Sequence, residues 1–154
     1  MKFSTNEDVA APIDQLFDAL SDFESFERQA MRRGADVQRV DPGAGLCVGA
    51  SWKVAFSMRG RRRNLDLTLD RFDAPHEMLF LAKSQGMDAV FTVELVALSR
   101  NRTRMAVALE MTPLNLAARL LIQSLKLAKS NLTKRFKIRV AEYAKQIENR
   151  LGHA

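Results

Sequence analysis

Between Pro113 and Leu151 the chain has no glycine and no second proline. Its apolar residues there return at helical spacing: Leu121, Leu125, Ala128, Leu132, Phe136, Val140, Tyr143, Ile147 and Leu151. An amphipathic helix has to bury its stripe against something. After one short helical region the preceding chain reads as strands and turns, so the expected partner is a sheet. One straight helix over 114–151 would run about 57 Å, against a radius of gyration of about 15 Å for a domain of this size. A bend near Ser130-Asn131, or an overhang, is therefore expected. The half before it, from Leu114 to Ala128, carries Leu116, Leu120, Ile122 and Leu127 off the main stripe, more apolar surface than packing on one side requires. That surplus suits a cavity mouth, a homodimer contact or a membrane surface.

The remaining chain supplies the sheet. Residues 2–9 alternate as a short strand, which Ala10-Ala11-Pro12 ends, since proline lacks a ladder donor but suits the first turn of a helix. Ile13, Leu16, Phe17 and Leu20 then follow at helical spacing. Ser21-Asp22 reads as a break with a fresh N-cap for a second short helix, and Gly34 as its C-terminal stop. Asp41-Pro42-Gly43-Ala44-Gly45 is a turn signal. Beyond it come Trp52, Val54, Phe56 and Met58 on one strand face, and Leu65, Leu67 and Leu69 on the next. Further strands span Met78 to Lys83, Val90 to Leu98 and Met105 to Met111. The Val90–Leu98 run is apolar on both faces, so alternation does not assign its register. The whole reads as one α+β domain over 1–154: an antiparallel meander of about six to seven strands, two short helices after the first, and the long closing helix. A curved sheet around one helix leaves a gap of the kind that holds ligands.

The opening strand into Ala11-Pro12, the run Leu16-Phe17-Asp18-Ala19-Leu20-Ser21-Asp22-Phe23, the strand series and the helix after Pro113 together resemble the START-like superfamily. This group is also known as the polyketide cyclase/dehydrase and lipid-transport (SRPBCC) superfamily, and the likeness covers essentially the whole chain. It implies a helix-grip fold and a cavity for an apolar or amphipathic small molecule. Members include lipid carriers, hormone and polyketide binders, aromatase/cyclases and stress-response partners, so the resemblance speaks to fold more than to function.

Composition narrows the partners. The net charge of +6, from 24 Lys and Arg against 18 Asp and Glu, favours anionic ones. Four arginines, Arg59, Arg61, Arg62 and Arg63, crowd one turn region and form a candidate anion-binding finger. No aromatic residues lie among them for base stacking, which argues against nucleic acid. Cys47, the single cysteine, excludes an internal disulfide and has no basic partner suggested by its neighbours. His76 and His153 are the only histidines, and neither sits at metal-ligand spacing with a second ligand, so no metal or other cofactor is expected. The N-terminal residues turn polar at once and no run nears the roughly 18 apolar residues of a membrane span, so the expected location is cytoplasmic.

These features favour a non-enzymatic binding or carrier protein for a hydrophobic small molecule such as a lipid, quinone or polyketide-like compound. The expected cavity lining is Trp52, Phe56, Leu67, Leu69, Phe80, Phe91, Met105, Leu109, Leu121 and Leu125. One alternative is a cyclase/dehydratase-type enzyme using a cavity carboxylate, with Glu94 the catalytic candidate, or a cavity arginine. Another is a basic interaction module for an acidic partner or membrane surface.

Overall fold

A computed structural model describes residues 1–41 and 47–152. Eleven elements follow one another: β1 (Lys2–Val9), α1 (Ile13–Leu20), α2 (Phe23–Arg32), β2 (Asp36–Arg39), β3 (Ser51–Met58), β4 (Arg61–Asp73), β5 (Glu77–Ser84), β6 (Met87–Ser99), β7 (Arg102–Pro113), α3 (Leu116–Leu127) and α4 (Lys129–Gly152). The seven strands form one antiparallel sheet in the order β1-β7-β6-β5-β4-β3-β2. Only the pairing of β1 with β7, from Lys2 opposite Glu110 to Val9 opposite Thr103, departs from a meander. The α1–α2 pair carries the chain from one edge strand, β1, to the other, β2.

Local chemistry explains the joints. Pro12 precedes α1, and the Ser21 hydroxyl turns back onto the Phe17 carbonyl as that helix ends. The Asp22 carboxylate caps α2 by accepting from the Ser25 amide. Gly34, at φ 93°, ends it in the left-handed conformation. A bulge on β4 between Leu69 and Arg71 inserts one residue, so Phe72 joins Leu65, Leu67 and Leu69 on the concave side despite its opposite parity. The core lies between that side and the helices. Val9, Leu16, Leu69, Met78 and Met105 are wholly enclosed there, and the buried Thr103 hydroxyl donates to the Ala11 carbonyl at 2.8 Å.

Three expectations are corrected. The closing segment is two helices rather than one bent helix, and the break falls at Ala128 instead of Ser130-Asn131. The stripe of α3 is Ala118, Ile122 and Leu125, so Ile122 is buried, while Leu121 lies to one side of that row. The arginine-rich region is mostly strand. The turn itself is only Arg59-Gly60, both at positive φ, and Arg61, Arg62 and Arg63 already pair with β3. The Pro42–Gly45 part of the expected turn and His153 lie outside the described residues.

Two hairpin turns and one strand end meet α3. The β3–β4 and β5–β6 turns and the end of β7 share one end of the sheet, since Met58 pairs Arg61 and Met87 pairs Pro113. The Leu114 amide donates to the Gly86 carbonyl, and Asn115 caps α3 by accepting from the Ala118 amide at 2.8 Å. Farther along, Arg59 donates to the Ser124 hydroxyl at 2.9 Å. The helix thus reaches from one hairpin turn to another across the end of the sheet.

Candidate functional site: an apolar cavity between sheet and helices

A cavity of about 600 Å³ occupies the concave side of the sheet. Its floor is strand side chains at alternate positions: Trp52 and Val54 on β3, Leu65 and Leu67 on β4, Met78, Phe80 and Ala82 on β5, Phe91 and Val93 on β6, and Met105, Val107 and Leu109 on β7. Its other wall comes from Leu20 at the end of α1 and from the two helices α2 and α4. Each presents the same four-residue pattern, i, i+3, i+4, i+7: Phe23, Phe26, Glu27 and Ala30 on α2, and Phe136, Arg139, Val140 and Tyr143 on α4. Aromatic rings dominate the side under α2. Phe23 meets Trp52 edge-on at 5.5 Å and Phe80 at 5.6 Å, and Phe26 lies 5.3 Å from Tyr143.

The polar groups of this lining are few. Trp52 is almost wholly buried, and its indole Nε1–H donates to Glu27 Oε1 at 2.6 Å, a short charge-assisted bond. The Arg39 guanidinium lies over the same indole, 5.5 Å from the ring centre. Burial pushes the Tyr143 phenol well above its ordinary pKa, with Asp22 adding to the shift and Arg150 opposing it, so the hydroxyl stays protonated and can donate. Arg139 brings a cation to the α4 wall. The arrangement can enclose an apolar body and orient one polar group against Glu27, Tyr143 or Arg139.

Six of the ten expected lining residues share this cavity: Trp52, Leu67, Phe80, Phe91, Met105 and Leu109. Four do not. Phe56 has the right phase but lies beyond the Val54–Leu65 rung, past the cavity's end. Leu69 is packed solid within the core. Leu121 and Leu125 belong to α3, which contributes no side chain to the lining. Glu94 is corrected as well: its neighbours Val93 and Leu95 point inward, leaving its own side chain exposed on the convex face opposite Glu77. No cavity chemistry can rest on it.

The four arginines of the β3–β4 hairpin are not brought together as one finger. Arg59 is held by Ser124, Arg62 is ion-paired with Asp36, Arg63 reaches the Met58 carbonyl, and strand alternation separates Arg62 from Arg61 and Arg63. Cys47 and His76 are exposed. Among the described residues no three His, Cys, Asp or Glu side chains gather as metal ligands. Glu27 and Arg139 are the functional candidates that strand alternation did not reveal. Their signal was a lone charge inside an aromatic helical stripe.

No family model matches the chain, and no curated protein matches it. Solved structures do. The Zhui aromatase/cyclase from a Streptomyces species superposes with a TM-score of 0.67 at 12% identity, over 98% of this chain and 95% of that one. The two share the helix-grip fold. Ara h 8.0201 superposes at 0.57 with 16% identity over 100% and 99% of the two chains. An HSP90 activator from Plasmodium falciparum reaches 0.50 with 20% identity over 71% and 72%. The fold expected from the strand series and the closing segment is borne out, with seven strands and two helices at the end in place of one. No helix among the described residues is long and apolar enough to cross a membrane.

Proposed function

We propose that the protein binds and carries a hydrophobic small molecule, of lipid, quinone or polyketide-like character, in the cavity between sheet and helices. One observation carries this reading: about 600 Å³ lined by side chains from six strands and three helices, nearly all of them apolar. Space of this size falls within the range of small-molecule sites. Each 100 Å² of apolar ligand surface withdrawn from water contributes roughly 2.5 kcal/mol, offset by lost translational and rotational freedom. Glu27, Arg139 and Tyr143 would orient the ligand's polar end.

Filling the cavity tests the reading. Ala82 lies in the cavity wall, and Ala82→Trp, or Ala30→Phe from the helix side, occupies ligand space. Titration with an apolar fluorescent dye should saturate on the natural chain and weaken at least about tenfold in a variant that still unfolds cooperatively, a change of roughly 1.4 kcal/mol. Unchanged dye affinity in both folded variants would refute the assignment.

A second reading, an enzyme of cyclase/dehydratase type, is favoured by the presence of Glu27 and Arg139 in one lining. Its carboxylate would be Glu27. In that case Glu27→Gln abolishes turnover of a polyketide-like substrate while leaving its binding intact.

A further inference from the structure

The charge of this protein is concentrated in one segment. Between residues 111 and 141 there are seven cations, Arg119, Lys126, Lys129, Lys134, Arg135, Lys137 and Arg139, and no aspartate or glutamate. The rest of the chain holds 17 cations against 18 acids, so this segment accounts for the whole positive excess. The same segment holds the most exposed leucines of the described residues: Leu127 at 92%, Leu116 at 70%, and Leu114 and Leu120 at 57%.

On α3 the two features interlock. At 100° per residue, Leu116, Leu120 and Leu127 fall within about 40° of one another, opposite the buried row of Ala118, Ile122 and Leu125. Arg119 and Lys126 flank the leucine row on one side. On the other lies Ser124, whose hydroxyl holds the Arg59 guanidinium at 2.9 Å. A line of exposed leucines bracketed by cations is the pattern of a helix lying in the headgroup region of a bilayer, its apolar side chains among the acyl chains and its cations beside anionic headgroups. A second copy of the chain suits the face poorly, because a two-fold contact would bring the same uncompensated cations against each other.

We infer that α3 is a peripheral docking surface for anionic phospholipid, with the Leu116-Leu120-Leu127 row inserted and Arg119, Lys126 and Arg59 at the headgroups. None of these side chains lines the cavity, so docking requires no bound ligand. The test is co-sedimentation of the full chain with phosphatidylcholine vesicles, with and without a third of phosphatidylglycerol. The expected result is retention on the anionic vesicles only, at least about tenfold weaker in the triple variant Leu116→Gln/Leu120→Gln/Leu127→Gln. Arg119→Gln/Lys126→Gln weakens it similarly, and the natural chain loses affinity as salt rises. Substitutions at such exposed positions leave the thermal midpoint nearly unchanged. Ala82→Trp, which blocks the cavity, keeps vesicle binding, so this result is separable from the carrier reading. Equal retention on neutral vesicles, undiminished binding of the triple variant, or a solution dimer that the triple variant dissolves would overturn the inference. So would binding to a soluble polyanion without binding to vesicles.

Discussion

Glu27 and Trp52 form a hydrogen-bonded pair whose energy can be isolated. The indole N–H is held at 2.6 Å from the Glu27 carboxylate, on a side chain that is only 3% exposed. In Glu27→Ala that donor faces an apolar cavity without its acceptor, which costs about 1–3 kcal/mol. For a chain of 154 residues each kcal/mol lowers the thermal midpoint by about 2–4 °C, so a fall of roughly 2–12 °C is expected. Glu27→Gln keeps a neutral acceptor and should lose only about 1 kcal/mol. Trp52→Phe removes the donor, so Glu27→Ala should cost markedly less in that background. A double-mutant cycle by thermal unfolding should therefore return a coupling of about 1–2 kcal/mol. Because Trp52 is the only tryptophan, its emission should also shift in Glu27→Ala, reporting on the cavity wall directly. Additivity within about 0.5 kcal/mol would show that the pair is not coupled, and the polar corner of the cavity would have to be redrawn.

The same sheet yields other tests. Leu69 and Leu67 sit two residues apart on β4, but Leu69 is packed on all sides and Leu67 borders the cavity. Urea unfolding should show Leu69→Ala losing about 2–5 kcal/mol and Leu67→Ala clearly less, since it vacates space that is already partly empty. Gly86 has φ +78°, and a Cβ there would strike the Asn115 side chain that caps α3. Gly86→Ala should cost about 1–3 kcal/mol from backbone strain and cap loss together, with faster amide exchange confined to the start of α3. The Arg104 hydrogen bond, helped by the Arg104 and Arg102 charges and opposed by desolvation, holds the Asp8 carboxyl below its ordinary pKa. Its stabilisation is complete above the unfolded value near 4 and is lost as pH falls through the lowered one. Between about pH 5 and pH 2 the thermal midpoint should thus fall more steeply in the natural chain than in Asp8→Asn.

Sequence periodicity reached the architecture because its main constraint is additive. Each strand's alternation and the closing stripe report burial one element at a time, and seven strands with an unburied helical stripe leave few arrangements. The cavity was half legible for the same reason: Trp52, Leu67, Phe80, Phe91, Met105 and Leu109 share the concave phase. Phase could not tell the rungs that border empty space from those packed solid, so Leu69 looked like its neighbour Leu67. Nor could it follow the break at Ala128, which takes Leu121 and Leu125 out of line with α4. Glu94 lay in a run apolar on both faces, and only the register with β5 and β7 places it outside. Glu27 shows the converse. A carboxylate at i+4 from Phe23 on an apolar helical stripe marks a buried partner, but identifying Trp52 as that partner takes the fold.

Whether the cavity holds a hydrophobic small molecule can be read by native mass spectrometry of the gently purified full chain. The expected spectrum shows a population heavier than the apo chain by one small molecule, released on activation, extractable into organic solvent, and absent from Ala82→Trp. A clean apo mass under those conditions, with no adduct recovered after incubation with a mixed lipid and quinone extract, would contradict it.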